Sequence, residues 1–407
     1  MASKVEYEEV SKPPLKKHDI KSLDLAFVMD ATGSMGSYIE SAKNNIRKIV
    51  EEIVASEKGD VRLALVNYRD HPPQDTSYVT QVHDFTSSPG TMKGWLESTT
   101  AEGGGDTPEA VADALHDALK LSWRDEATKI CVCISDAPPH GIGASGDGFP
   151  EGFPNGIDPI EVVHQMAEKG ITLYVVACEP SITPYKNFFM AIAFTTGGQY
   201  VPLTKAQVLC QVIVGGAQEE MSLERLMEEV NEEVQAEMAA GSAIDETEMT
   251  RRVHSKMMSK GVTSKQLLRN KEELSNVADN EEVRNLSKLT NLCDMRAAFK
   301  PSEEAFSFGG FPAAYGAPMP AMCTMPRYAA DGIPEIAALS LGPPGGGGGG
   351  FGDINSAPGG GGGGFGDINS APEEMYEVEE MPISVAQASR MVQKSMARNK
   401  VNRPLEK

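Results

Sequence analysis

The 407-residue chain carries 58 acidic against 37 basic residues, a formal charge of -21 at pH 7. That balance excludes nonspecific nucleic-acid binding, which needs a clustered basic face, and leaves cations and basic surfaces as plausible partners. Met1–Leu23 has lysines but no apolar core, and no later segment approaches the roughly 18 apolar residues of a membrane span, so a soluble, unexported, cytoplasmic protein is expected.

The 40 glycines and 26 prolines fall heavily after residue 300, whereas residues 20–215 hold the dense apolar runs of a core. One folded domain of about 200 residues is therefore expected, with accessory sequence after it. Within it, short apolar runs alternate with helical patterns in the order of an α/β fold built on a doubly wound, mostly parallel six-stranded sheet. Leu23–Met29, Val61–Asn67, Lys129–Ser135 and Ile171–Ala177 read as central strands, Tyr78–Phe85 as an edge strand and Tyr200–Pro202 as a short one. Ile39, Ala42, Ile46, Ile49, Val50 and Ile53 recur at helical spacing, with Glu40, Lys43, Arg47, Lys48 and Glu51 on the other face, which predicts a first helix packed on the sheet. Pro108–Leu121, Pro159–Lys169, Tyr185–Ala193 and Lys205–Ala217 read as further helices. The 6 cysteines sit mostly inside apolar runs and lack paired metal-site spacing, so reduced core thiols are expected. Cys131 and Cys133 point the same way from a strand, which leaves a regulated disulfide open.

Beyond residue 220 the pattern changes. Residues 221–299 read as a helical arm: Leu223, Leu226, Met227, Val230, Val234 and Met238 form one stripe, followed by a basic helix over Glu246–Lys260 and a third helix over about Ser264–Met295. The arm either packs on the main domain or oligomerises as a coiled coil. Residues 300–382 read as a disordered Pro/Gly-rich linker that holds two identical 14-residue copies, 345–358 and 359–372, of a hexaglycine unit ending Phe-Gly-Asp-Ile-Asn-Ser-Ala-Pro. The final segment, 383–407, reads as an amphipathic basic helix and tail, with Val385, Ala388, Val392 and Met396 on one face and Arg390, Lys394 and Arg398 supplying charge, and suggests a tethered binding peptide. The first 20 residues form an N-terminal tail.

Three strand-end loops carry oxygen ligands. Asp30, Thr32 and Ser34 follow the first strand at alternate positions, and open parallel sheets bind ligands at that carboxyl edge. By itself the pattern fits a helix N-cap equally well. Gly103-Gly104-Gly105-Asp106-Thr107-Pro108-Glu109 lets backbone approach closely and presents a hydroxyl before a helix. Asp136 opens Ala137-Pro138-Pro139-His140-Gly141 at the end of another strand. His140 reads as a loop-structuring histidine, and Asp106 and Glu109 either tune the site or solvate a helix start.

On these motifs residues 21–220 resemble the von Willebrand factor A family, and the phrasing Phe-Val-Met-Asp-Ala-Thr-Gly-Ser-Met, with Asp-Ala-Pro-Pro-His-Gly, is similar to the A domain of von Willebrand-type alpha-kinases. The resemblance implies a metal-ion-dependent adhesion site with Asp30, Thr32, Ser34, Thr107 and Asp136 as ligands to Mg²⁺ or Mn²⁺, and a partner protein whose Asp or Glu completes the coordination. With three neutral hydroxyls and few charges, such an ion stays electrophilic, which favours an adaptor or scaffold over a hydrolase. Two alternatives stand beside it: a kinase, although no phosphate-cradling Gly loop on a strand and helix follows residue 220, and an oligomeric structural protein.

Overall fold

The computed structural model describes residues 22–57, 60–152, 154–241, 244–274, 277, 280–302 and 374–399. The N-terminal tail and both hexaglycine copies lie outside the described residues. Six strands form the central sheet: β1 (Ser22–Asp30), β2 (Asp60–Tyr68), β3 (Thr80–Thr86), β4 (Thr128–Ser135), β5 (Ile171–Cys178) and β6 (Gln199–Leu203). Their spatial order is β3-β2-β1-β4-β5-β6, with β3 antiparallel to β2 and every other pair parallel.

The pleat divides each central strand between two cores. Leu25, Phe27 and Met29 of β1 face α1 (Gly36–Glu57), α2 (Pro89–Ser98) and α6 (Leu209–Glu224). Ala26 and Val28 face α3 (Val111–Leu119), α4 (Pro159–Glu168) and α5 (Lys186–Thr195). Helices on both faces explain why β1, β4 and β5 are buried along their whole lengths. The stripe from Ile39 to Ile53 is buried as its spacing predicts. The helix expected over Pro108–Leu121 is shorter, because Glu109 first bridges to Pro139 as extended backbone. Ser88 caps α2 through Thr91 N, a short helix that the sequence reading passed over. Cys131 and Cys133 are free, buried thiols, and burial pushes Cys133 up to about 12.

The accessory sequence departs most from expectation. No helix spans Ser264–Met295: the chain forms β7 (Thr263–Arg269), turns through Asn270 and Lys271 at positive φ into β8 (Glu272–Glu273), and then makes α9 (Glu281–Leu286) and α10 (Leu292–Ala298). The cause is nonlocal. β7 pairs in antiparallel register with β9 (Tyr376–Pro382), so part of the presumed linker is a strand. One of its acidic side chains finds partners across the pair: Lys265 lies opposite Glu380, and Thr263 Oγ1 donates to Glu380 Oε1 at 2.7 Å.

Two helices of the arm, α7 (Met227–Ala239) and α8 (Glu246–Ser259), run antiparallel: Glu229, Glu233 and Glu237 of α7 meet Lys260, Lys256 and Arg252 of α8. Their apolar stripes close on α11 (Val385–Arg398), which starts at a Ser384/Gln387 capping box. Val385–Arg398 is thus an integral helix of the domain. Met391, Val392 and Met396 are buried, at about 1.5–3 kcal/mol per large apolar side chain. Its basic face is buried as well. Arg390 reaches Glu219 and Glu220 at 3.2 and 3.3 Å, Lys394 pairs with Glu220 and Glu224, and Arg398 reaches Glu224 at 2.7 Å.

Candidate metal centre

The site occupies the carboxyl edge of the central strands. Asp30 ends β1 fully buried, and its Oδ1 accepts the Thr32 backbone N–H at 2.9 Å and the Thr32 hydroxyl at 2.6 Å. The Thr32 proton is therefore used on Asp30, which leaves the oxygen's lone pairs for another group. Ser34 Oγ lies 3.4 Å from Thr32 Oγ1, about the separation of neighbouring ligands on one cation, and Ser34 is near enough to Asp136 to offset part of the rise that burial gives that carboxyl. Ser135 Oγ stands 3.5 Å from Asp30 Oδ2 and accepts from Ala137 N at 3.2 Å, fixing the start of the third loop.

Backbone contacts clamp the three loops together. Gly33 N donates to Gly103 O and Glu102 N to Ala31 O, while Glu109 N donates to Pro138 O at 2.9 Å. Gly104 has φ +85°, and a Cβ there would stand 2.9 Å from Glu109 Oε1 and 3.5 Å from Thr32 Cβ. The glycine is thus required by its backbone, and a side chain there would push the Glu109 carboxyl aside.

The electrostatics favour a cation. Burial, followed by Asp136, raises the Asp30 carboxyl to about 7. Burial also raises Asp136. Glu109 is raised to about 10, first by burial and then by Asp30, Asp70, Asp106 and Asp136, and its Oε2 is buried without a hydrogen-bond partner. A divalent ion among these oxygens would relieve desolvation and mutual repulsion together. The donor set of carboxylates and hydroxyls suits a hard ion such as Mg²⁺.

Four of the five expected ligands therefore converge: Asp30, Thr32 and Ser34 by hydrogen bonds, and Asp136 through Ser34 and through its field on Asp30. Thr107 lies exposed on the second loop, and among the described residues no hydrogen bond joins it to the other four. The sequence leaves Glu109 either a tuning group or an acid at a helix start, because an acid after Thr-Pro looks like a helix start until its bridge to Pro139 is seen.

Beside this cluster lies a second one. Asp70 follows β2, and its Oδ1 accepts from His71 N at 2.6 Å and lies 2.7 Å from His140 Nε2. His140 Nδ1 lies 2.7 Å from Asp147 Oδ1. Asp147 also accepts Gly141 N and Phe149 N, and Asp106 Oδ2 accepts Gly148 N. His140 thus sits between two carboxylates, which override its burial and raise it to about 9. Asp70 lies just past the end of β2, at the same carboxyl edge of the sheet as Asp30.

Comparison with known proteins agrees with this architecture. Residues 24–143 match the family model of the von Willebrand factor A domain, and the chain carries such a domain. Alpha-protein kinase vwkA of Dictyostelium discoideum is 30% identical over 155 residues, 37% of this chain and 24% of that protein. An ariadne-like RING finger protein of Acanthamoeba polyphaga mimivirus is 28% identical over 200 residues, 47% of this chain and 19% of the relative. The von Willebrand factor A domain-containing protein 7 of Rattus norvegicus is 40% identical over 95 residues, 23% of this chain and 10% of that protein. The chain thus spans under a quarter of the length of each of these relatives. No helix among the described residues is long and apolar enough to cross a membrane.

Proposed function

We propose that the A domain is a Mg²⁺-dependent protein-binding module, in which Asp30, Thr32, Ser34 and Asp136 hold the ion, Thr107 joins them, and a partner's Asp or Glu takes the remaining coordination position. The observation that carries this reading is the Asp30–Thr32–Ser34 geometry. One buried carboxylate orients a hydroxyl whose lone pairs remain available, 3.4 Å from a second hydroxyl. A bound Mg²⁺ would supply Lewis acidity toward the incoming carboxylate; the chain's own residues orient it and exclude water from its buried side.

The module is read as binding and not catalytic. His140 is paired on both ring nitrogens with Asp70 and Asp147, so in the protonated state it is no free base for an attacking water. The kinase in the name of the Dictyostelium relative is a property of that protein, of which the aligned region is 24%.

Capture of partners by the immobilised full chain, with Mg²⁺ and with EDTA, tests the proposal alongside Asp30→Ala and Thr107→Ala. Partners should be lost with EDTA and with Asp30→Ala. Equal capture in all four arms overturns the metal-bridged reading.

A further inference from the structure

We propose that Asp70, Asp106 and His140 form a second divalent-cation site, separate from the Asp30 cluster and suited to a borderline transition ion such as Zn²⁺. One ligand atom from each of the three residues lies within 4.8 Å of the others. Ligands about 2.1 Å from a common ion lie about 3 to 4 Å from one another, so small side-chain shifts close the set. The Asp70 Oδ1 to His140 Nε2 distance of 2.7 Å is already within a few tenths of the separation of adjacent ligands.

Two further features separate this cluster from an ordinary ion pair. Asp70 is fully buried, and its Oδ2, like the buried Oδ1 of Asp106, has no N–H or O–H donor facing it among the described residues; burial, and the Asp70 carboxyl close against it, raise the Asp106 carboxyl. Such oxygens cost free energy unless something positive faces them. In addition, Asp147 accepts from the far nitrogen of His140 and is itself anchored by Gly141 N and Phe149 N. Metal-binding histidines are held in this way, with a carboxylate behind the ring fixing the tautomer and directing the other nitrogen at the ion.

The chemistry sets the preferred ion. One imidazole nitrogen with two carboxylates favours Zn²⁺ or its transition-metal neighbours over Mg²⁺, which takes oxygen ligands and keeps its waters. In the metal-free protein a proton on His140 Nε2 bridges to Asp70; the ion replaces that proton, so binding releases it. Phe149 packs edge-on against His140, with ring centroids 5.0 Å apart, and walls one side of the site. The site ties the loops after β2 and β4 to the Asp106 loop, the same loops that bear on the Asp30 cluster. The inference does not depend on the Asp30 site holding Mg²⁺.

The test is a Zn²⁺ titration of the full chain in excess Mg²⁺ with a competing chromophoric chelator, on a Cys293→Ala, Cys323→Ala background because Cys293 is exposed and Cys323 lies outside the described residues. One Zn²⁺ should bind, and the half-exposed Asp106→Asn, which can keep an acceptor for Gly148, should weaken it about 10- to 100-fold while Asp30→Ala leaves it unchanged. Visible absorption of the Co²⁺ form should report nitrogen and oxygen ligands without thiolate charge transfer. Absence of Zn²⁺ binding, or binding unchanged in both Asp106→Asn and Asp70→Asn, overturns the assignment. So does a thiolate signature in the Co²⁺ form.

Discussion

Replacing Lys394 by methionine isolates the buried network that holds α11 to the domain. The Lys394 side chain is 1% exposed and its ammonium pairs with Glu220, which is 0% exposed, and with Glu224 at 3.7 Å. Methionine keeps most of the stem volume and removes only the charge. Arg390 and Arg398 remain, so three carboxylates, Glu219, Glu220 and Glu224, then face two cations. Removing one partner of a buried pair costs about 3–5 kcal/mol, which is about two to three and a half decades in the docking equilibrium. Against a typical domain stability of about 5–15 kcal/mol, that loss is large. Urea unfolding of both proteins measures it, and amide exchange along 385–398 locates it. Adding Glu220→Gln should recover at least half of the loss, since a neutral amide needs no counter-charge. A cost below about 1 kcal/mol for Lys394→Met, or a double variant no better than the single one, would refute the view that these charges are mutually dependent.

Further expectations concern the Asp30 site. In the metal-free protein, the raised Asp30 pKa of about 7 keeps a proton on the folded state that the unfolded chain has already released, so this group's contribution to stability falls as pH rises from the ordinary carboxylate range toward 7. Mg²⁺ must displace that proton; its affinity, measured by calorimetry, should climb between about pH 6 and 8, and a flat profile would contradict the linkage. Gly104→Ala should cost about 1–3 kcal/mol of stability and weaken Mg²⁺, whereas Gly143→Ala, also at positive φ but with nothing within 4 Å, should show the backbone cost alone. Equal Mg²⁺ affinity in the two variants would mean that Gly104 does not shield the ligand cluster. Deleting 374–407 removes β9 and α11 and uncovers Leu267, Val253 and Met257, so the truncated chain should bind a hydrophobic dye and unfold earlier; unchanged dye binding would argue against an integral role.

The central sheet was legible because β1, β4 and β5 are buried along their whole lengths and so read as unbroken apolar runs, while Ile39 to Ile53 repeats at helical spacing. β7 was not legible: Leu267 and Leu268 have no alternating pattern around them, and their strand exists because residues 376–382 return to pair with it. The same absence of local signal hid β9, whose glutamates suggest a solvated linker until Lys265 is placed opposite Glu380 and Arg269 beside Glu374, just before the strand. Within the site, Asp30, Thr32, Ser34 and Asp136 could be found because strand ends and residue type coincide. Glu109, Asp70 and Asp147 depend on side chains meeting across loops, and no spacing in the sequence reports that.

The most direct measurement is a calorimetric Mg²⁺ titration of the metal-free full chain beside Asp30→Ala and Asp136→Ala. One Mg²⁺ should bind to the native chain and none to either variant, with all three proteins showing the same circular dichroism. Identical Mg²⁺ binding by the native chain and both folded variants would contradict an ion centred on Asp30.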